Sequence, residues 1–252
     1  MFYLFNNRLI SCSAVSDFLQ DFNQAFIVKD RWKYIVNGLG NTLLLTFFAC
    51  IIGIILGATV AIIRTTYDTH GVETRNKFLK FLLTFLNILC KVYLTIIRGT
   101  PVVVQILISY YVIFAASNHK LLIGMLTFGV NSGAYVAEII RSGIMSVDKG
   151  QYEAGRSLGF NYIQTMIYII APQAFKNVLP TLANEFIVLL KETAVAGYIA
   201  LEDLAKGGDI IRSVTYKAFL PLLMVAAIYL VMVMFFTWLV GNLERRLRTD
   251  ER

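Results

Sequence analysis

The chain has 252 residues, 57% of them hydrophobic and only 15% charged, with a formal charge of +7. That much apolar surface exceeds what a water-soluble core of this size requires, so the excess faces lipid. Lys and Arg are scattered between apolar runs with no basic stripe interleaved with aromatics, which excludes a nucleic-acid-binding module and fits basic loops beside a membrane.

Residues 1–36 mix aromatics with Asp17, Asp21, Lys29, Arg31 and Lys33 and are predicted to form an interfacial segment. No compact apolar run there ends in a small-residue cleavage site. Residues 37–247 make up the membrane domain, and 248–252 a short tail. A crossing helix needs about 20 mostly apolar residues. The first is expected over 41–63, an uncharged stretch carrying Gly53 and Gly57. That pair either admits a neighbouring helix closely or is merely tolerated against lipid.

Residues 81–116 are interrupted by Lys91 and by Arg98-Gly99-Thr100-Pro101. As one helix they would extend about 54 Å, well past a hydrocarbon core of about 30 Å. The expectation is a span over 96–116 preceded by an amphipathic stretch along the interface, where Lys91 and Arg98 can snorkel. Pro101 lacks an amide proton and clashes with the carbonyl of Ile97, so it marks a kink or a helix start. Further spans are expected over 121–137 (continuing to Arg141), 179–196 and 218–243. The fold class is therefore all-α integral membrane, with about five transmembrane helices.

Five spans put the termini on opposite sides. With the C-terminus inside, the cytoplasmic segments hold Arg64, Arg75, Lys77, Lys80, Arg141, Lys149, Arg156, Lys176, Arg245, Arg246, Arg248 and Arg252, against nine basic residues outside. The positive-inside rule then places the N-terminus outside.

Between the third and fourth spans lies an unusually long connector, 142–176; such connectors are functional or disordered. Asp148 followed by Gln151 resembles an N-cap with its reciprocal partner, opening a helix through Leu158. Gly159 supplies a left-handed stop. Asn161 with Gln164 repeats the start signal, and Pro172 is expected to end regularity again. A helical hairpin outside the bilayer results. It either docks into a groove on another protein or only joins two spans.

Glu153-Ala154-Gly155, three residues, Gly159, nine residues, Ile169 and then Pro172 reproduce the spacing of the EAA loop of ABC importer permeases (Glu-Ala-Ala, three residues, Gly, nine residues, Ile-x-Leu-Pro). Gly155 replaces the second alanine and Ala171 the leucine. The stretches Arg98–Gln105, Ala134–Glu153 and Pro172–Thr193, and Glu244-Arg245-Arg246-Leu247 after the last span, resemble the histidine/glutamine/glutamate/arginine permease family. Ala194-Val195 stands where Ser-Leu often follows Lys-x-Thr. The resemblance covers roughly residues 37 to 247.

It implies that the hairpin is a coupling helix seated on a cytoplasmic ATPase subunit. Glu153 would be its polar anchor or cap, Ala154 and Gly155 would permit close approach, and Gly159 would set its angle. Pro172 closes the motif. Implied partners are ABC ATPase subunits, a second permease copy or paralogue, an extracytoplasmic substrate-binding protein, a polar amino acid and the lipid bilayer. ATP and Mg would be used by the partner ATPase subunits, with no cofactor bound by this chain. The implied location is the bacterial plasma (inner) membrane.

Arg98, Thr100 and Gln105 are candidates for the substrate path: Arg98 and Gln105 are seven apart and so share a helix face, and Pro101 offers a break where backbone groups can open to a cavity. Asn184 and Glu185 enter the fourth apolar segment and are further candidates, as are Glu138, Lys191 and Glu192, each set against an interfacial role. The outside loop 197–217, with Glu202, Asp203, Lys206, Asp209 and Arg212, is either a docking surface for a substrate-binding protein or simply solvated charge.

His70 and His119 are isolated, and Cys12, Cys50 and Cys90 are widely spaced, so no metal site or disulfide framework is expected. No Gly-x-x-x-x-Gly-Lys-Ser/Thr segment is present, so the chain has no P-loop. An ion-gradient-driven secondary transporter or channel subunit is the alternative, but inverted repeats and midplane ionisable clusters are not seen.

Overall fold

The computed structural model describes residues 16–70 and 76–249, without the side chains of His70, Arg248 and Thr249. Arg8, Cys12, Arg75, the start of the N-terminal segment and residues 250–252 lie outside the described residues. Those described are helical or connecting; no strand occurs among them.

A short helix, α1, covers residues 16–22 and widens through Asn23–Ile27. Helix α2 (Trp32–His70) follows after a tight reversal at Lys29 and Asp30, both at positive φ. Then come α3 (Lys77–Gly99), α4 (Val102–Ile108, helical onward to Ile113), α5 (Lys120–Met145), α6 (Lys149–Ser157), α7 (Tyr162–Thr165), α8 (Ala171–Glu192), α9 (Leu204–Thr215) and α10 (Phe219–Thr249). Four of these are long and apolar enough to cross a membrane: Trp32–Thr69, Lys77–Gly99, Lys120–Met145 and Phe219–Leu247. Helix α8 runs against α5 and α10 through the same core, its apolarity lowered by Lys176, Glu185, Lys191 and Glu192.

Of the apolar stretch of α5, 61% is buried, against 17% for α3 and for α10. The bundle is therefore built around α5, and α2 makes the most extensive contact with it. Gly53 and Gly57 are filled by this neighbour: a Cβ at Gly57 would sit 2.6 Å from Val136, and one at Gly53 would sit 3.0 Å from Ser132. Small residues give backbone proximity, and with it dispersion contacts, to two helices that gain little from excluding water inside a bilayer.

The expected span over 96–116 is displaced. Helix α3 runs unbroken through Lys91 to Gly99, and the interruption falls at Thr100, which is extended (φ −121°, ψ 144°), with Pro101 opening α4. Proline forces the residue before it out of the helical region and contributes no donor, so the chain must break where the expected span was to begin. Arg98 and Gln105 consequently lie on different helices and do not share a face. Other helices outrun their expected spans: α2 is 39 residues long, about 58 Å, and α8 begins at Ala171 with Pro172 inside its first turn and Pro180 in its interior.

On the far side of the bundle from α6, the segment 197–217 is not an open loop. Helix α9 folds back onto the start of α2, where a Cβ at Gly38 would lie 2.5 Å from the Asp203 carbonyl oxygen. Asp203 is fully buried and N-caps α9, accepting from Lys206 N at 2.9 Å and Ala205 N at 3.4 Å. It therefore leaves the expected docking surface. The charge that remains at the surface is Glu202 and the half-buried Asp209, set between Lys206 (2.9 Å) and Arg212 (2.5 Å), bonds that hold the Asp209 carboxyl below the usual range, Lys206 foremost. Helix α1 and its continuation lay Ala25 and Phe26 against Leu204, Ile211 and Val225, with Lys217 paired to Asp21 and Gln24.

Burial pushes the Asp203 carboxyl up from 3.8 to about 6, against the opposing pull of the amides it caps. A raised carboxyl pKa stabilises the fold below the unfolded value and loses that stabilisation as pH rises through the folded one. Asp203→Asn keeps a capping oxygen and removes this dependence. The difference in thermal midpoint between variant and wild type in detergent is expected to shift in the variant's favour as pH rises from about 4 to 6.5, by the equivalent of about 2–3 kcal/mol. A pH-independent difference would show that the carboxyl does not titrate in this window.

Candidate functional site

A cavity of about 770 Å³ opens at the end of the bundle where α5 passes into α6. Helix α5 contributes Tyr135, Glu138, Ser142 and Ser146, α8 contributes Lys176, Asn177, Thr181 and Glu185, and Arg98 of α3 and Glu244 of α10 complete the wall. Glu185 accepts a hydrogen bond from Ser132 Oγ at 3.0 Å. Glu138 joins three helices: Arg64 Nη1 of α2 lies 3.0 Å from its Oε1, Arg98 Nη1 of α3 lies 3.7 Å away, and Arg98 also stacks over Tyr135 at 5.7 Å. Arg141 adds a second tie between α5 and α2 through Asp68 at 3.1 Å.

The path residues expected from sequence divide. Arg98 and Glu185 meet in the cavity wall. Thr100 does not: its hydroxyl donates to Ile96 O at 2.8 Å. Gln105 spans the break, donating to Ile97 O at 2.8 Å and Thr100 Oγ1 at 2.9 Å while accepting from Asn131 at 3.0 Å. It satisfies carbonyls that the missing Pro101 amide leaves free, a structural task that sequence alone did not disclose. Asn184 is exposed and outside the cavity. The lining residues missed from sequence were legible as stripes: Asn177 and Thr181 lead to Glu185 in steps of four, and Tyr135, Ser142 and Ser146 align with Glu138 at three or four. Asn184 falls one position off its stripe, turned about 100° away.

Below the cavity, α5 and α8 are joined by the hairpin. Asp148 caps α6 through Gly150 N at 2.6 Å, but Gln151 does not reciprocate; its side chain accepts from Gln173 of α8 at 3.4 Å. The reciprocal cap forms at the second start, where Asn161 and Gln164 exchange bonds of 2.9 Å. Between them Gly159 takes φ +82°, and the bonds Gly159 N to Arg156 O and Phe160 N to Gly155 O close α6 with a Schellman turn. Pro172 does not end the second arm. The chain widens by one residue over Met166–Ile170, bonding Ala171 N to Met166 O, and passes directly into α8. This bulge accommodates the proline that would otherwise break the ladder. Pro172 instead lines a cleft between the α5–α6 corner and α8, with Asp148, Lys176 and Asn177.

Glu153 and Ala154 are exposed on α6, and the Glu153 side chain has no partner among the described residues. Gly155 is buried and turned inward, where a Cβ would meet Thr165 Cγ2 at 2.7 Å. Its small size serves contact between the two arms. Burial also pushes the Tyr152 hydroxyl upward, with help from Tyr162 beside it. On the hairpin Leu158, Ile163, Ile167 and Tyr168 are all more than half exposed, and Glu153 and Arg156 are exposed on α6 as well. Among the described residues no group of His, Cys, Asp or Glu is placed to hold a metal ion.

Because Arg64 is only 14% exposed, Glu138→Ala would strand a desolvated guanidinium. A loss of about 2 kcal/mol is expected, below the 3–5 typical of fully buried pairs, with Glu138→Gln milder because it still accepts from Arg64. Thermal unfolding in detergent measures both; equal stability of Glu138→Ala and wild type would remove this residue as the junction of the three helices.

The family model described as binding-protein-dependent transport system inner membrane component matches residues 78–249. A putative glutamine transport system permease protein, GlnP, from Rickettsia bellii is 34% identical over 217 residues, covering 85% of this chain and 93% of its own. The arginine transport system permease protein ArtQ of Bacillus subtilis is 33% identical over 221 residues, covering 86% and 94%. Among solved structures, an amino acid ABC transporter crystallised with histidines superposes with a TM-score of 0.76 at 41% identity, covering 88% of this chain and 98% of that one. The inward-facing MetNI methionine ABC transporter gives 0.70 at 17% identity, covering 86% and 97%, which is a likeness of fold.

Proposed function

Because the chain belongs to the family of binding-protein-dependent transport system inner membrane components, we propose that it is the permease subunit of an ATP-binding-cassette importer for polar amino acids, with the hairpin α6–α7 as its coupling element. The observation that carries this reading is one of continuity. The two helices supplying most of the polar cavity wall, α5 and α8, are the two that the hairpin joins. A force on α6 therefore reaches the cavity without crossing a flexible loop.

The relatives named for glutamine and arginine support a polar amino acid as the solute. A wall carrying Arg98 and Lys176 beside Glu138, Glu185 and Glu244 offers partners to both ends of a zwitterion. ATP and Mg are used by partner ATPase subunits, onto which the hairpin docks through Leu158, Ile163, Ile167, Tyr168 and Glu153. Binding and closure of those subunits favours one of two arrangements of the bundle. A second permease copy or paralogue completes the pathway, and an extracytoplasmic binding protein delivers the solute to the α9 side.

The chain is a multi-pass protein of the inner membrane. Glu244 and Leu247, near the end of α10, share the cavity with Ser146 and Lys176 beside the hairpin. The end of α10 and the hairpin thus lie on one side, which we assign to the cytoplasm, with the N-terminus outside.

Glu153 is exposed and unpartnered among the described residues, so Glu153→Lys tests coupling without disturbing the fold. Uptake of labelled glutamine or arginine by cells carrying the complete importer is expected to fall roughly tenfold or more, since a misplaced charge at an interface costs several kcal/mol, with membrane content unchanged. A bulky residue at Gly159 should uncouple as well, with added backbone strain at φ +82°. Normal uptake with normal ATPase stimulation in Glu153→Lys would overturn the coupling role.

A further inference from the structure

Behind Arg98, on the side away from the central cavity, lies a second pocket of about 480 Å³ between α2, α3 and α5. Arg64, Lys91, Leu94, Thr95, Arg98 and Glu138 line it. Lys91, Leu94, Thr95 and Arg98 follow one another at three- and four-residue intervals, so one face of α3 supplies most of the wall.

Its charge is unbalanced. The single carboxylate, Glu138, is taken by Arg64 at 3.0 Å, whereas Arg98 stands off at 3.7 Å and is 46% exposed. Lys91 is exposed and makes no ion pair or side-chain hydrogen bond among the described residues. Lys91 is thus open to an outside anion, and Arg98, held at long range by Glu138 and stacked on Tyr135, keeps guanidinium donors for the same anion. The surface beside them is apolar: Ile88, Val92 and Ile96, on the same helix, are each at least half exposed. An unpaired ammonium on a membrane helix is costly unless it reaches the headgroup layer or meets an anion. A basic pocket between membrane helices with hydrocarbon-like surface alongside suits an anionic lipid, whose phosphate occupies the charged recess while its chains cover the flanking residues. A free inorganic anion would need the cations but has no use for that apolar border.

We propose that the pocket between α2, α3 and α5 binds the phosphate of an anionic phospholipid, with Lys91 and Arg98 as its cations. Phosphate oxygens accept charge-assisted hydrogen bonds from both side chains. Because Arg98 and Glu138 also form part of the central cavity wall, a bound lipid would hold the partition between the two chambers in place.

The experiment uses the purified full-length chain in mild detergent and reads lipid retention by native mass spectrometry, so it is independent of transport and of the coupling role. Wild type is offered phosphatidylglycerol and phosphatidylcholine of matched acyl chains, with and without inorganic phosphate. Phosphatidylglycerol should be retained preferentially. Lys91→Gln should weaken its retention about fivefold, the effect of one basic residue at an anionic membrane surface, and Lys91→Arg should restore it, with helical content unchanged in both. Equal retention of the two lipids, or undiminished phosphatidylglycerol retention in Lys91→Gln, would overturn the proposal. Displacement of phosphatidylglycerol by millimolar inorganic phosphate would overturn it too, by identifying a general anion site.

Discussion

Two helices can approach closely in lipid only where side chains are small, and the pairing of α2 with α5 is where this chain meets that condition. Gly53 and Gly57 on one helix face Ser132 and Val136 on the other, while Gly129 of α5 receives Ile52 of α2. The pair is then closed at one end by two ion pairs, Arg64–Glu138 and Arg141–Asp68. Apolar packing between helices in a bilayer gains little from excluding water, so these ties, placed where the chain leaves the hydrocarbon, add a specificity that dispersion does not supply. Everything else is arranged around the result. Helix α8 packs on the exposed flank of α5, α9 folds over the start of α2, and α3 and α10 remain peripheral with most of their surface outward.

The cavity follows from that arrangement. It forms beside the close contact that α5 and α8 make at the hairpin end, around Gly143 and Val178, and it is polar because both helices carry polar residues at helical spacing along its wall. The hairpin itself is stiff at each corner. Asp148 caps its first helix, Gly159 turns it, the Asn161–Gln164 exchange starts the return, and the bulge before Pro172 lets the return continue into α8. Internal contact through Gly155 and Thr165 makes the two arms one body. A unit of this kind transmits displacement, whereas a flexible connector would absorb it.

The break after α3 shows the limits of reading along the chain. Pro101 announced an interruption, but placing it required knowing that residues through Gly99 remain helical and that Gln105 turns back to take the freed carbonyl of Ile97. Gln105 and Thr100 looked like path residues because they are polar in an apolar run. Their partners turned out to be backbone carbonyls, each other and Asn131, and only spatial neighbours could reveal that. Asp203 is the reverse case: a charge in a segment read as a solvated loop is buried as a cap. Asn184 and Glu185 are adjacent and chemically similar in sequence, yet a helical turn of about 100° sends one outward and the other to Ser132 and the cavity.

Local chemistry was sufficient for much of what depends on residue type and short spacing, though not for the partner of Gln151 or the unbroken course through Pro172. Hydropathy marked the apolar cores of α2, α5 and α10 because lipid tolerates no unpaired backbone and few charges, and the left-handed glycine at 159, the caps at Asp148 and Asn161, and the Glu153–Pro172 spacing were all legible from neighbouring residues. What required the folded chain was every relation between distant residues: that Glu138 holds Arg64 and Arg98 together, that Arg98 and Glu185 share a wall while Thr100, Gln105 and Asn184 do not, and that α9 closes over α2. Those relations depend on which faces of the helices meet, and in a bundle of amphipathic and uniformly apolar helices that choice is set by close packing and ion pairing in three dimensions, which a one-dimensional pattern of polar and apolar residues leaves open.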